Sequence, residues 1–182
     1  MNAALKSEIG QDRPDLRALR SDLEKGLEGE VRFDDGSRAL YATDGSNYRQ
    51  IPIGVVVPKS VDDVIFAVEV ARRYRAPLVA RGGGTSLTGS SCNTAIVIDF
   101  SKYLRRVLEL NAAEKWAWVE PGVICDTLRS AAETFGLTFG PDPSTHNHCV
   151  LGGMIGNNSC GMHAQMAGRT SDNIHELDVL TY

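Results

Sequence analysis

Apolar positions follow two different periods along the chain, and the changes of period mark out its elements. From Asp12 to Gly29 the leucines Leu16, Leu19, Leu23 and Leu27 recur every three or four positions, with Pro14 near the start and Gly29 at the end. That spacing predicts an amphipathic helix. Polar and turn residues dominate from Val31 to Gln50 (Asp34, Asp35, Gly36, Asp44, Gly45, Ser46, Asn47), so this stretch is expected to be loop with at most one short strand. Ile53 to Val57 is a β-branched run stopped by Pro58, and Ser60 with Asp63 forms a capping-box-like start to a helix carried through Val64, Val68 and Ala71. Ala76-Pro77 ends that helix. Leu78 to Ala80 and Ile96 to Phe100 read as further strands, and strand, helix and strand predict a βαβ unit with a parallel sheet. Alternation from Arg106 to Leu110 and from Trp116 to Glu120, around Asn111-Ala112, predicts a hairpin. A helix over Asp126 to Phe135 ends at Gly136, and Ile174 to Thr181 alternates as a last strand. The pattern is α+β, with a loop-rich third quarter and no internal repeat.

Composition narrows what such a chain does. With 182 residues, 42% hydrophobic and 23% charged, it can bury a core and falls in the single-domain range. Lys and Arg total 19 against 23 Asp and Glu, a formal net charge of -4, so the basic excess of a phosphate-tracking nucleic-acid binder is missing. Met1 to Gln11 has neither a charged n-region nor an apolar h-region, and apolar runs are short, so neither export nor a transmembrane segment is expected. Cys92, Cys125, Cys149 and Cys160 are widely spaced without a CxxC pair, which fits a reducing compartment and a cytoplasmic location.

Two glycine-rich segments carry candidate chemistry. Arg81-Gly82-Gly83-Gly84-Thr85-Ser86-Leu87-Thr88-Gly89-Ser90-Ser91 follows a predicted strand. Consecutive glycines reach backbone angles closed to other residues, so successive N–H groups can converge on one anion, with the Thr85 and Ser86 hydroxyls as further donors. It is not a P-loop, because Ser90 stands where the phosphate-binding Lys belongs, nor a Rossmann fingerprint, because Leu87 takes the third glycine position and a strand follows. A flexible turn kept for tight packing is the alternative. Leu151-Gly152-Gly153-Met154-Ile155-Gly156-Asn157-Asn158-Ser159-Cys160-Gly161 offers close backbone approach plus amide and hydroxyl partners, and glycine packing under a helix explains it equally well. Two such loops in one domain suit a ligand with a long diphosphate body, such as a dinucleotide. Between them, Gly140 to His148 is too rich in proline and polar groups for regular structure: it either lines a polar ring system or is a surface loop whose Asp142, Ser144 and Thr145 cap local turns.

Taken in order, these segments resemble the N-terminal flavin-binding domain of the vanillyl-alcohol-oxidase or PCMH-type FAD family, in particular its D-lactate, glycolate and D-2-hydroxyglutarate dehydrogenase branch. The resemblance runs over Tyr41 to Tyr182, through Ile53 to Pro58, Arg81 to Ser91, Val119-Glu120-Pro121-Gly122-Val123, Pro141 to Thr145, Gly152 to Gly161 and Gly168-Arg169-Thr170-Ser171-Asp172-Asn173-Ile174. It implies a helical lead-in over 1–40 and an FAD-binding domain over 41–182, built as two α/β subdomains with FAD extended between them. The implied cofactor residues are Arg81, Gly82, Gly83, Gly84, Thr85, Ser86 and Gly89, then Gly122, with Pro141, Asp142, Ser144 and Thr145 near the isoalloxazine, and Gly152, Gly153, Gly156, Asn157, Asn158, Ser159 and Gly161 along the diphosphate and ribose. Relatives that bind flavin covalently carry a His in or just after the glycine loop where this chain has Thr85, so noncovalent FAD is implied. Oxidation of a small 2-hydroxy acid by hydride transfer to the flavin is the implied reaction. The base, substrate arginines and any metal ligands are expected beyond Tyr182, in a substrate or cap domain. No catalytic residue and no electron acceptor is assigned. A flavin reductase of a nucleotide-sugar enolpyruvate on the same fold, and a non-catalytic nucleotide- or anion-binding module, are the alternatives.

The remaining candidates read as structural. His146, His148, Cys149, Cys160 and His163 match no standard zinc spacing and are expected to hydrogen-bond locally, leaving no metal site. Cys92 reads as a small buried thiol. Trp116 and Trp118 share one strand face and are expected in the core or under a helix. Arg72, Arg73 and Arg75 suit the dipole at a helix end.

Overall fold

The computed structural model describes residues 14–182, so the reading of Met1 to Gln11 and the first two residues of the N-terminal helix lie outside the described part. The leucine periodicity forms helix α1, Leu16–Gly26, shorter than its pattern because Asp15 sets the start by accepting hydrogen bonds from the Arg17 and Ala18 N–H groups. Strand β1 (Glu30–Arg32) follows, then a helix α2 (Asp35–Leu40) where the sequence predicts loop. The physical reason is a local cap: the Asp34 carboxylate accepts from the Ser37 N–H and starts a turn that no apolar stripe announces.

Strand β2 (Gly54–Val57), helix α3 (Val61–Arg73), strand β3 (Leu78–Arg81) and strand β4 (Ile96–Asp99) make the first subdomain. The sheet order is β1-β2-β4-β3, with β1 antiparallel and the rest parallel, so β4 inserts between the two strands of the predicted βαβ unit. Continuous apolar runs put β2 and β4 in the middle, buried on both faces. One face meets Leu19 and Leu23 of α1 and Ala67, Val70 and Ala71 of α3; the other packs Val55, Val57 and Val97 against Tyr41, Val79 and Tyr103. Asp63 ties this layer together. Its carboxylate accepts from the Glu28 and Lys59 N–H groups while the Ser60 hydroxyl caps the Asp63 N–H, so half of the predicted capping box is spent on a tertiary bond instead.

The second subdomain is the hairpin β5 (Val107–Asn111) and β6 (Trp116–Val119), helix α4 (Cys125–Glu133), helix α5 (Leu151–Asn157), helix α6 (Ala164–Ala167) and a 3-10 turn Thr170–Asn173. The hairpin is anchored where Glu120 accepts from the Arg106 backbone N–H and guanidinium. Burial alone would raise the Glu120 carboxyl, but the bonds from Arg106 outweigh it and hold it below the usual range. Ala117 and Val119 face the core of Val123, Leu128, Leu151 and Met154. Trp116 and Trp118 therefore point the other way, Trp118 exposed and Trp116 donating to Glu114, which reverses the expectation of core tryptophans. Residues 174–181 form no strand: they alternate, but among the described residues no strand pairs with their backbone, and most of them are exposed.

Candidate functional site

The connection from β3 to β4, residues 82–95, is the glycine segment. Parallel neighbours need a long crossover, usually a helix that supplies its own backbone bonds and packing. This crossover has no helix, so its shape depends on what it leans against. On one side it meets the second subdomain. A Cβ on Gly82 would lie 2.0 Å from Val150 Cγ2, and one on Gly83 would lie 2.2 Å from the His148 carbonyl oxygen. Only glycine fits between β3 and the 148–150 segment. Gly84 and Gly89 have φ of +65° and +77°, left-handed angles that turn the loop at its two bends.

On the other side lies a short segment, expected as loop at the start of the FAD-binding domain and carrying no expected cofactor residue. Thr43 bridges Arg49, closing a tight turn. The Gly45 N–H donates to the Gly84 carbonyl at 2.9 Å, Tyr48 covers Gly89, and the Tyr41 ring lies 5.3 Å from the Arg81 guanidinium. The Tyr41 hydroxyl donates to Asp99 at 2.6 Å; burial first and that bond second push the phenol well above its ordinary value. At the centre, Asp44 accepts from the Ser46 N–H and hydroxyl and from the Ser91 N–H and hydroxyl. Burial would raise the Asp44 carboxyl, and these donors together bring it below the ordinary carboxylate value.

Held this way, the loop presents unused donors. Among the described residues, no protein acceptor meets the backbone N–H of Gly82, Gly83, Gly84, Thr85, Ser86 or Leu87. A cleft opens beside them, lined by Gly82 to Ser86, Ser90, Ser91, Cys149, Val150, Gly153 and Asn157. The Ser86 hydroxyl is not one of the free donors. It donates to Ser90 at 3.0 Å and accepts from the Thr88 and Ser90 N–H groups, so it staples the loop from inside. Ser90 in turn reaches Asn157 at 3.5 Å, linking the two glycine segments.

The first part of the second glycine segment, Leu151–Asn157, is helix α5 rather than a loop. Each glycine in a helix interior costs about 1 kcal/mol against alanine, yet Leu151 and Met154 are buried one turn apart and Gly152 seats the helix against Pro121. Packing wins over propensity. The helix ends at Asn158, φ 48°, whose side chain accepts from the Ser171 N–H, while the Ser159 carbonyl accepts from the Thr170 N–H and hydroxyl. Of the expected cofactor residues, Gly82, Gly83, Gly84, Thr85, Ser86, Gly153 and Asn157 meet in the cleft. Arg81 and Gly89 support it from behind. Gly122 is pressed against the Phe100 carbonyl and Gly161 against the Asp142 carbonyl, both close backbone packings outside the cleft lining. Gly156 has open space around its Cβ position.

The irregular 140–148 segment is built from local bonds. Pro141 accepts from the Cys125 thiol, His146 pairs with Asp126 at 2.7 Å, His148 bonds Asn147, and His163 pairs with Asp142, whose carboxyl that bond lowers. The Thr145 carbonyl accepts from the His148 and Cys149 N–H groups, and Ser144 is exposed. Cys149 borders the cleft, and the interaction between the neighbouring Cys125 and Cys149 thiols lowers Cys149 and raises Cys125. Cys92 is buried beneath the loop, and that burial raises its thiol. Ala80, Cys149 and Val150 were missed as lining residues, and Ser90 and Ser91, though inside the loop singled out, were not among the expected cofactor residues; for Cys149 and Val150 the short apolar run Cys149-Val150-Leu151 ahead of the glycines was the available signal.

Residues 52–182 match the FAD binding domain family. The chain is 36% identical over 165 residues to a D-2-hydroxyglutarate dehydrogenase of Pseudomonas putida, covering 89% of this chain and 16% of that protein. It is 33% identical over 159 residues to the glycolate oxidase subunit GlcD of Bacillus subtilis, covering 85% and 34%. The chain thus spans between about a sixth and a third of these curated relatives. Among solved structures, an alkyldihydroxyacetonephosphate synthase superposes with a TM-score of 0.78 at 20% identity, over 89% of this chain and 33% of that one, a likeness of fold. No helix among the described residues is long and apolar enough to cross a membrane.

Proposed function

The chain belongs to the FAD binding domain family, and from that premise we propose that it holds noncovalent FAD in a protein that oxidises a small 2-hydroxy acid. The observation that carries the reading is the run of six backbone N–H groups, Gly82 to Leu87, left without protein acceptors on a loop braced from two sides. Unpaired donors next to a cleft are costly unless a ligand or water meets them, and a diphosphate is the ligand part that accepts many at once. The residues fit the cofactor in this respect: the loop offers donors and no side-chain bulk, and no carboxylate lines the cleft.

In this reading Gly82 to Ser86 bind the diphosphate through backbone N–H groups, with Gly153 and Asn157 on the opposite wall and Gly152, Gly156, Asn158, Ser159 and Gly161 continuing along the ribose side. Arg81, Gly89 and Gly122 shape the walls, and Pro141, Asp142, Ser144 and Thr145 are proposed to border the ring system. When bound, FAD supplies the two-electron acceptor for hydride transfer. Thr85 offers no imidazole, so no covalent link to the cofactor forms from this loop. The names of the relatives support a substrate of the D-2-hydroxyglutarate or glycolate type. A cytoplasmic location is supported by four free cysteines, three of them buried.

Because this chain spans only a sixth to a third of its curated relatives and no base is assigned within it, the test uses purified protein that also carries the proposed substrate or cap domain. It should carry a flavin absorption spectrum that bleaches when D-2-hydroxyglutarate, glycolate or D-lactate is added under anaerobic conditions. A colourless protein that takes up no FAD on titration would overturn the cofactor reading; a yellow protein bleached by none of the three acids would overturn the substrate class alone.

A further inference from the structure

A carboxylate beside an anion-binding loop is electrostatically unfavourable, because it repels the ligand the loop is built for. Asp44 is such a group. Its Oδ1 accepts from the Ser46 N–H at 2.9 Å and the Ser46 hydroxyl at 2.5 Å, and its Oδ2 from the Ser91 hydroxyl at 3.0 Å and the Ser91 N–H at 3.4 Å. Ser91 is buried and closes the far end of the glycine loop. The next residue, Gly45, donates to Gly84 at the near bend, and its Cα is so close to the loop that a Cβ would lie 3.1 Å from the Ser86 carbonyl. One short turn therefore grips the loop at both ends, with Asp44 as its charged bond to the far end. The Arg81 guanidinium also donates to the Ser91 and Tyr41 carbonyls, joining the same two segments from below.

Resting on the diphosphate reading above, we infer that Asp44 is a positioning residue for the cofactor loop: through Ser46 and Ser91 it holds residues 82–91 in the shape that leaves the Gly82 to Ser86 N–H groups free for phosphate oxygens. A crossover without a helix has little of its own to fix that shape. Without the Asp44 bonds, Ser91 and its neighbours are free to turn, and the loop N–H groups lose their common orientation before the ligand arrives. The ordering cost then falls on binding.

Asp44→Asn in the full chain separates the two roles by sign. Asparagine keeps size and the bonds from Ser46 but offers an N–H₂ group to Ser91, where a carboxylate oxygen accepted. A bystander carboxylate, once neutralised, would tighten FAD binding by relieving repulsion. A positioning carboxylate would weaken it, by about tenfold for the loss of charge-assisted bonds to Ser91. FAD titration by flavin fluorescence reads the affinity, and hydrogen exchange of the 82–91 amides in apoprotein reads the loop, where faster exchange is expected. Ser91→Ala removes one hydroxyl without disturbing the charge and should weaken FAD by a smaller factor in the same direction, which keeps the test open if Asp44→Asn fails to fold. Unchanged or tighter FAD binding in Asp44→Asn, or in Ser91→Ala where Asp44→Asn does not fold, overturns the inference. Failure of the diphosphate reading looks different, since Gly83→Val, which sits in the loop itself, would then retain FAD at unchanged affinity.

Discussion

At the scale of single residues, the glycines of the site divide by what a Cβ would meet. Gly83 has the His148 carbonyl 2.2 Å from its Cβ position, a backbone atom that cannot step aside. Gly83→Val should therefore separate the loop from the 148–150 segment, abolish FAD retention and also lower the melting temperature of the apoprotein. The contact thus adds a stability cost to a substitution whose sequence context alone points only to lost binding. Retained FAD at unchanged affinity would show the loop assignment to be wrong. Gly156 is the opposite case, with nothing within 4 Å of its Cβ position in a helical turn. Gly156→Ala should stabilise the apoprotein by about 0.5–1 kcal/mol through helix propensity. FAD affinity should nevertheless fall, because the proposed cofactor path runs over that open space. A higher apoprotein melting temperature with unchanged FAD affinity would remove Gly156 from the site.

At the scale of elements, the layer that carries the loop is held by a few buried or partly buried carboxylates. Asp63 receives two backbone N–H groups, from Glu28 at 3.0 Å and Lys59 at 2.8 Å, joining the end of α1 to the start of α3. Asp63→Ala leaves both donors unpaired and should cost about 2–4 kcal/mol, whereas Ser60→Ala removes one cap and should cost about 1 kcal/mol. Thermal melts of the two variants rank the bonds, and equal shifts would contradict the tertiary role given to Asp63. Glu30 on β1 is the pH-sensitive member. Hydrogen bonds from Lys102, Tyr103 and Arg32 take its carboxyl from 4.5 down to about 2. A carboxyl lowered on folding stabilises the protein above its unfolded value, and that contribution fades as pH falls from about 4.5 toward about 2. The melting-temperature gap between the unsubstituted protein and Glu30→Gln should be full at pH 7 and shrink across that window. A gap independent of pH would show that the Lys102 and Arg32 pairs contribute nothing through charge.

At the scale of the whole molecule, the cleft lies where the first subdomain's crossover loop meets the second subdomain at Cys149 and Val150. A cofactor lying along that junction binds both parts, so its occupancy should stabilise them together. Because Thr85 stands where covalent relatives carry histidine, acid precipitation should release all the flavin into the supernatant. Colour that stays with the pellet would mean a covalent link from another residue.

Elements whose signal is local are legible from neighbouring residues alone. The leucine stripe of α1, the β-branched runs of β2 and β4, the hairpin around Asn111 and the glycine run after β3 were all readable, because period and turn chemistry are properties of neighbouring residues. The order of the glycine, Pro-Asp-Pro and second glycine segments also pointed to the family that residues 52–182 match. Three features needed the third dimension. Helix α5 forms from a glycine-rich segment because Pro121 and the core around Met154 reward it, which no propensity reveals. Residues 174–181 alternate like a strand, but a strand exists only with a partner, and none pairs with them among the described residues. The brace from Tyr41 to Tyr48 reads as a polar loop and becomes part of the site only when the fold lays it on residues 82–91, some forty positions away. Donors that stay free for a ligand are decided there, since whether an N–H group is spent on the protein depends on every segment folded within reach of it.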